Sequence, residues 1–224
     1  MGFSIAAARA LDRQFVAERP RSFAIVTIIE RLIALILSIA FLPVLIVVAV
    51  LVAVLSGRSP LIALARAGHR GKRIWLIKVR TMWCGEKTAR NSGRIIERIE
   101  NAAVPELKTE FDPRVTSSFA AFCRRYSIDE LPQLWHVVRG EMALVGPRPL
   151  THQELDTYYG YDADEVVSVR PGLTGLWQVR GRNALTYRRR LALDLYLVRH
   201  WSIRLYLFVL AATVPTVFSG RNAG

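Results

Sequence analysis

The sequence predicts a mainly helical α+β domain held to a membrane by a helix broken at a proline and by interfacial amphipathic helices. Three features predict it: one long uncharged apolar run, one short stretch in which apolar and basic residues alternate, and later segments whose apolar residues recur at helical spacing. At 224 residues the chain suits one domain with an anchor better than two full domains. The expected division is an N-terminal extension at 1–30, a re-entrant membrane helix at 31–57 and a cytosolic domain with interfacial helices at 58–224.

From Leu32 to Leu55 the chain carries 24 uncharged residues, mostly Leu, Ile, Val and Ala. At about 1.5 Å per residue a helix of that length covers a hydrocarbon core of roughly 30 Å. The run starts too far from the N-terminus for a secretory signal, and no small-residue cleavage site follows it, so the protein is expected to keep it. Pro43 sits near its middle and removes a backbone hydrogen bond. Basic residues flank both sides: Arg19, Arg21 and Arg31 before, and Arg58, Arg66, Arg70, Lys72 and Arg73 after. The positive-inside tendency holds both ends on the cytoplasmic face, which a helix that enters, breaks at Pro43 and returns satisfies. A kinked single-pass helix satisfies the length equally, and either way the basic remainder belongs in the cytoplasm.

Ile74 to Met82 reads as a strand with Lys78 and Arg80 on one face. The polar stretch from Gly85 to Thr109 reads as a loop or a marginal helix. Phe119, Phe122, Cys123 and Tyr126, then Leu131, Leu134, Trp135 and Val138, mark two amphipathic helices joined at Ser127, the second closed by Gly140. Gly146-Pro147-Arg148-Pro149 is a loop in which two prolines stiffen the backbone around one arginine. Arg170-Pro171-Gly172 and Gly181-Arg182-Asn183 are loops of the same kind. A last amphipathic helix starts near Thr186, with Tyr187, Leu191, Leu195 and Val198 on one face and Arg188, Arg189 and Arg190 placed to touch anionic headgroups. Leu205 to Phe218, with Pro215 inside, is too short to cross a bilayer and reads as an interfacial or core helix.

Lys and Arg total 31 against 18 Asp and Glu, a formal charge of +13, which implies a polyanionic partner without choosing among nucleic acid, anionic lipid and a phosphate-rich substrate. The two cysteines, Cys84 and Cys123, form no CxxC pair, which argues against a zinc site or a disulfide framework and for a reducing compartment. His69, His136, His152 and His200 show no metal-ligand spacing and read as surface or core histidines.

Asp129 and Glu130 are the chemical candidates. Ser127-Ile128-Asp129-Glu130 also matches a capping box, and acidic residues favour a helix N-terminus in any case; Pro132, inside the first turns, puts that boundary in question. Read functionally, the pair offers a carboxylate able to hold a hard divalent ion or attack phosphorus. Mg²⁺ takes one or two protein carboxylates and completes its shell with substrate phosphates, while arginine grips phosphate oxygens bidentately. Lys78, Arg80, Arg124, Arg148, Arg170 and Arg182 are the expected phosphate cradle, four of them in stiffened loops or beside the acidic pair.

The run RRYSIDELPQLWHVVRGEMALVGPRPL (124–150), with RPGLTGLWQVRGRN (170–183) and KVRTM (78–82), resembles the bacterial sugar transferase family, the monotopic phosphoglycosyl transferases that start exopolysaccharide, O-antigen and glycoprotein glycan assembly. The resemblance runs from about Arg31 to the C-terminus. It implies a re-entrant helix broken at a proline, and cytosolic chemistry at the inner membrane of a bacterium by an Asp-Glu dyad with Mg²⁺. Asp129 would be the nucleophile that attacks the β-phosphorus of a UDP-sugar and also a metal ligand. UMP would leave, and polyprenyl phosphate would then accept the sugar-phosphate. Glu130 would orient the metal or handle a proton, and Lys78 and Arg124 fall on positions used for the phosphates. Arg148, Arg170 and Arg182 match family arginines. The sequence departs from the family at Leu42 before Pro43, at Ala67 in Arg66-Ala67-Gly68, at Val79 in KVRTM, and at Tyr206, where an aspartate is common.

A different class of protein, a single-pass anchor with a basic module binding nucleic acid or anionic lipid, predicts aromatics interleaved with the basic residues on one platform. Trp135, read here on the apolar face of its helix, argues against it, as do basic residues gathered in loops around the dyad. The expected partners are therefore a UDP-sugar, polyprenyl phosphate and membrane lipids, with no nucleic acid and with a homo-oligomer left open. A nearer rival keeps the fold but uses the carboxylates only for metal, with direct donor-to-acceptor transfer.

Overall fold

The computed structural model describes residues 21–83, 95–100, 115–181 and 185–219. Helix α1 (Arg21–Ser56) has 36 residues with Pro43 inside and is helical on both sides of that proline. Missing its N–H, Pro43 leaves the Ile39 carbonyl without its usual intrahelical donor. Its apolar residues from Phe23 to Ser56 are long and hydrophobic enough to cross a membrane by length and composition. One face stays open, as at Ile36, Ile39, Val47 and Val54, the last 75% exposed. The other face is core on both sides of Pro43. Val26, Ala34 and Leu37 pack with Leu134, Val137, Met142, Leu197 and Val209, whereas Leu45, Val48 and Val52 pack with Val79, Phe119, Cys123 and Ile128. Gly57, at φ 63°, ends the helix in the left-handed conformation that glycine adopts without a Cβ penalty.

Strand β1 (Leu61–Ala67) pairs antiparallel with β2 (Arg73–Val79), Leu61 opposite Val79 and Ala67 opposite Arg73. A 3₁₀ turn at His69–Gly71 joins them. The small side chains of Ala63, Ala65 and Ala67 alternate into the core, where a strand of period two must place every second residue. The strand read from Ile74 to Met82 thus ends at Val79. In the segment read as structureless, β3 (Ile96–Ile99) pairs parallel to the other edge of β1, giving the order β2-β1-β3. The rest of 85–109 lies outside the described residues.

Helix α2 (Ser118–Arg125) leads through Ser127, at φ 56°, into a 3₁₀ helix at Ile128–Gln133 and then α3 (Leu134–Val138). The junction at Ser127 is where the sequence places it, but the faces differ. Counting 3.6 residues per turn from Leu131 puts Trp135 inside; the segment winds at three residues per turn up to Gln133. That phase change turns Trp135 outward, to 50% exposure, and buries His136 and Val137. Phe122 also faces outward and lies against Tyr126, ring centroids 4.9 Å apart.

Strands β4 (Ala143–Val145) and β5 (Gly172–Thr174) form a second, parallel pair. Between them run α4 (His152–Glu154), a π turn and α5 (Ala163–Val167). Thr151 and Glu154 make a reciprocal capping box, Oγ1 of Thr151 accepting from the Glu154 N–H at 3.0 Å and Oε2 of Glu154 from the Thr151 N–H at 2.8 Å. After α6 (Leu176–Val179) come α7 (Tyr187–Arg199) and α8 (Ile203–Ser219). Leu195 and Val198 of α7 are buried as read, but so is Arg190; its guanidinium stands 5.2 Å from the Tyr187 ring and so faces the protein rather than headgroups. Helix α8 buries Tyr206 and Val209 and exposes Leu207, Phe208, Val214 and Phe218, the two-sided character of an interfacial helix.

Two consequences are measurable. A Cβ on Gly146 would come within 2.6 Å of the Arg170 carbonyl oxygen and 2.7 Å of the Gly172 nitrogen, backbone atoms that cannot rotate away. Gly146→Ala is therefore expected to cost about 1–3 kcal/mol, read as a lowered melting midpoint in detergent. Asp194 of α7 is fully buried with Oδ2 accepting from the Tyr159 hydroxyl at 2.9 Å, and burial pushes its carboxyl from 3.8 up to about 7. Between those values the folded protein holds a proton that the unfolded chain has released, so this group's contribution makes stability fall as pH rises through the window. Asp194→Asn, neutral throughout, should show a smaller drop in melting midpoint between pH 5 and pH 8 than the wild type.

Candidate active site

The acidic pair sits on the 3₁₀ helix that follows Ser127. The left-handed turn at Ser127 lets its carbonyl accept from the Glu130 N–H at 3.1 Å, but no side-chain cap forms, so the capping box that the sequence allows is not made. Instead Glu130 Oε1 lies 2.6 Å from Nζ of Lys78 on β2, each side chain about three-quarters buried. Asp129 is 8% exposed. Its neighbour Cys123 is a buried free thiol, pushed up to about 11 by burial and by the charge of Asp129, so it stays protonated at neutral pH. Beneath them Val48 and Val52 of α1 pack against Val79, Cys123 and Ile128. The acidic pair therefore stands directly on the second half of the apolar helix.

The structure brings Lys78 to the dyad and gives Arg80, Arg148 and Arg170 partners elsewhere. Arg80, just past the end of β2, is buried; Nε donates to the Ser59 carbonyl at 2.8 Å and the guanidinium pairs with Glu97 of β3. It fastens the sheet to the end of α1. Arg124 lies half-buried in the last turn of α2, and its carbonyl accepts from the Ser127 N–H at 3.2 Å. Arg170 approaches Glu30 of α1 at 3.8 Å. Arg148 stands over the Trp177 ring at 4.7 Å, and its backbone N–H donates to Asp194. Glu154, Arg66 and Arg190 share its electrostatic surroundings. The loops bearing Arg148 and Arg170 touch, since the Gly172 N–H donates to the Pro147 carbonyl at 2.8 Å. Arg182 lies outside the described residues.

Two groups given no functional part by the sequence reading hold this arrangement: Glu30, which it did not single out, and His136, which it read as a surface or core histidine. Glu30 Oε2, at the start of the apolar run, accepts from the Leu144 N–H at 3.2 Å and from the Tyr206 hydroxyl at 2.9 Å. Tyr206, a departure from the family pattern, is thus a buried partner of α1. The other is His136, buried between β2 and Glu141. A carboxylate just ahead of an apolar run is a readable signal; a histidine on a short helix is not.

As a metal site the pair is lean. Among the described residues no group of three or more His, Cys, Asp or Glu side chains gathers to hold an ion. A hard cation such as Mg²⁺ needs only one or two protein carboxylates, the remaining positions going to substrate phosphate and water.

Comparison with known proteins bears on the same residues. The profile described as bacterial sugar transferase matches residues 21–220. The exopolysaccharide production protein ExoY of Sinorhizobium fredii is 38% identical over 199 residues, covering 86% of this chain and 84% of that protein. A UDP-glucose:undecaprenyl-phosphate glucose-1-phosphate transferase of Caulobacter vibrioides is 34% identical over 204 residues, covering 88% of this chain and 70% of its own. A UDP-galactose-lipid carrier transferase of Erwinia amylovora is 39% identical over 168 residues, 75% of this chain but 35% of that protein, so the chain spans about a third of that longer relative. A match that includes α1, the dyad, the Arg148 loop and α8 leaves one assignment: the chain belongs to the bacterial sugar transferase family.

Proposed function

We propose that this sugar transferase moves a sugar-1-phosphate from a UDP-sugar to undecaprenyl phosphate, releasing UMP, as the first membrane step of exopolysaccharide or related glycan assembly. The observation that carries it is a nearly buried carboxylate, Asp129, beside the Lys78–Glu130 pair, in a chain whose relatives are named for transfers to undecaprenyl phosphate. In this reading Asp129 attacks the β-phosphorus. The bond from that phosphorus to the bridging oxygen breaks, and UMP departs with the electron pair. The acyl phosphate then reacts with a phosphate oxygen of the lipid, which takes the sugar-phosphate and returns Asp129 as a carboxylate. Lys78 holds Glu130 in place next to the nucleophile and lends positive charge where phosphate charge gathers. Bound by Asp129, Mg²⁺ would supply Lewis-acid stabilisation of the phosphates.

The same reading places both ends of α1 on the cytoplasmic face. Glu30 near its start bonds Leu144 and Tyr206, and Ser59, just beyond its end, bonds Arg80. These partners belong to one folded body, and a straight helix of this length would reach about 54 Å, well beyond a core of about 30 Å. A helix that dips into one leaflet, bends at Pro43 and returns reconciles the two.

The test of the chemistry is UMP release from a panel of UDP-sugars with undecaprenyl phosphate and Mg²⁺. Asp129→Asn is expected to lose at least about 10³-fold and Lys78→Met about 10–100-fold in kcat/KM. Donor alone should give one equivalent of UMP and a protein heavier by one sugar-phosphate at Asp129. UMP release that strictly requires the lipid would replace the covalent route with direct transfer, and no release from any donor would remove the proposal. For topology, single cysteines at Ser4 and Arg58, in a chain with Cys84→Ser and Cys123→Ala, should react with an impermeant thiol reagent only after cells are permeabilised. Labelling of position 4 in intact cells would establish a single pass instead.

A further inference from the structure

His136 closes the open edge of the sheet beside the dyad. In the order β2-β1-β3, β2 is an edge strand, and edge amides otherwise turn to water or to another chain. The amide of Ile77, one residue before Lys78, donates instead to Nε2 of His136 at 3.1 Å. A backbone amide can only donate, so Nε2 is the acceptor and the ring proton resides on Nδ1. From there it is given to Oε2 of Glu141 at 2.6 Å, and Oε1 of Glu141 is fixed in turn by Arg139 at 2.9 Å. The backbone carbonyl of His136 accepts from the Glu141 and Met142 amides at 2.9 and 3.1 Å. The residue is 3% exposed, and ring and backbone are held from several sides.

Six positions earlier on the same helical segment, Glu130 receives Lys78. The edge of β2 is therefore joined to the segment carrying the dyad by two adjacent links, Ile77–His136 through the backbone and Lys78–Glu130 through side chains. A lysine on its long flexible stem does not locate itself; its ammonium is placed only as well as the strand that bears it.

We infer that His136 is a positioning residue for the transfer reaction, capping the Ile77 amide so that β2 presents Lys78 to Glu130 beside Asp129. The inference rests on the transferase reading given above. It acts through Lys78 and touches no substrate, which is what separates it from the dyad.

The experiment compares His136→Leu, which lacks any acceptor, with His136→Gln, whose Oε1 can take the place of Nε2. In UMP release, H136L should lose about 10–100-fold in kcat with donor KM within about threefold, the size expected when a reacting group is misplaced without lost binding. H136Q should stay within about fivefold of wild type. In a Lys78→Met background H136L should add less than about twofold, since two changes acting through one group do not add. Independently of turnover, amide exchange across residues 73–80 of the full-length protein in detergent should accelerate about tenfold or more in H136L and remain near wild type in H136Q. Wild-type kcat in H136L, full additivity with Lys78→Met, or unchanged exchange would each overturn the inference. Should H136L not fold, H136Q decides: a Gln variant with wild-type exchange at 73–80 but a tenfold loss in kcat overturns it, and one with wild-type exchange and kcat supports it. A wild-type protein that releases no UMP counts against the transferase reading, and the exchange comparison still decides the role of His136.

Discussion

The packing of one apolar helix against the folded body on both sides of its central proline is the constraint on which everything else stands. Helices that serve only as anchors contribute little to a domain's interior. Here Ala34 and Val52 are fully buried, the first in the core that holds α3 and α8 and the second beneath the dyad. Burying side chains of that size contributes on the order of 1–2 kcal/mol each, so α1 is a core element as well as a long apolar helix. Because Asp129 rides on a 3₁₀ helix laid against this helix, the position of α1 fixes the position of the acidic pair.

Charge is organised by the same logic. A basic surplus of this size would repel itself if left diffuse. The structure gives most of the singled-out cations a local partner: Lys78 has Glu130, Arg80 has Glu97, Arg170 has Glu30 and Arg148 has an aromatic face. Each pair ties two distant segments, so the residues suited to phosphate also fasten the sheet, the loops and the long apolar helix together. Breaking such a partly buried pair leaves one charge desolvated and alone, the costly half of the exchange.

What the sequence made legible was local. The apolar run, the cation on β2 and the acidic pair announce themselves through length, alternation and adjacency, and the structure sets Lys78 against Glu130. Trp135 went astray because six residues wind as a 3₁₀ helix, whose phase a 3.6-residue count cannot follow. The strand at Ile96–Ile99 is too short to carry a pattern, and it exists because β1 offers it an edge. Glu30 finds partners 114 and 176 positions away, distances at which no periodicity speaks. Arg80 looked like a substrate cation by its place beside Lys78, but just past the end of the strand it is held by Ser59 and Glu97. With Trp135 half-exposed, its burial is no argument against a nucleic-acid platform; membership of the sugar transferase family now carries that weight.

The two-sided character of α1, one face open and one in the core, has a practical side. Proteins with a simple anchor are commonly made tractable by cutting it away. Here that cut would remove the carboxylate that receives Leu144 and Tyr206 and would strip the floor from under Cys123 and Ile128. A version beginning at β1 would expose the inner faces of α3 and α8 to water, and such faces favour clumping over folding. Any effort to obtain the folded body in water would do better to keep the helix and repaint its exposed apolar side with polar residues, leaving the inward stripe from Val26 to Val52 untouched.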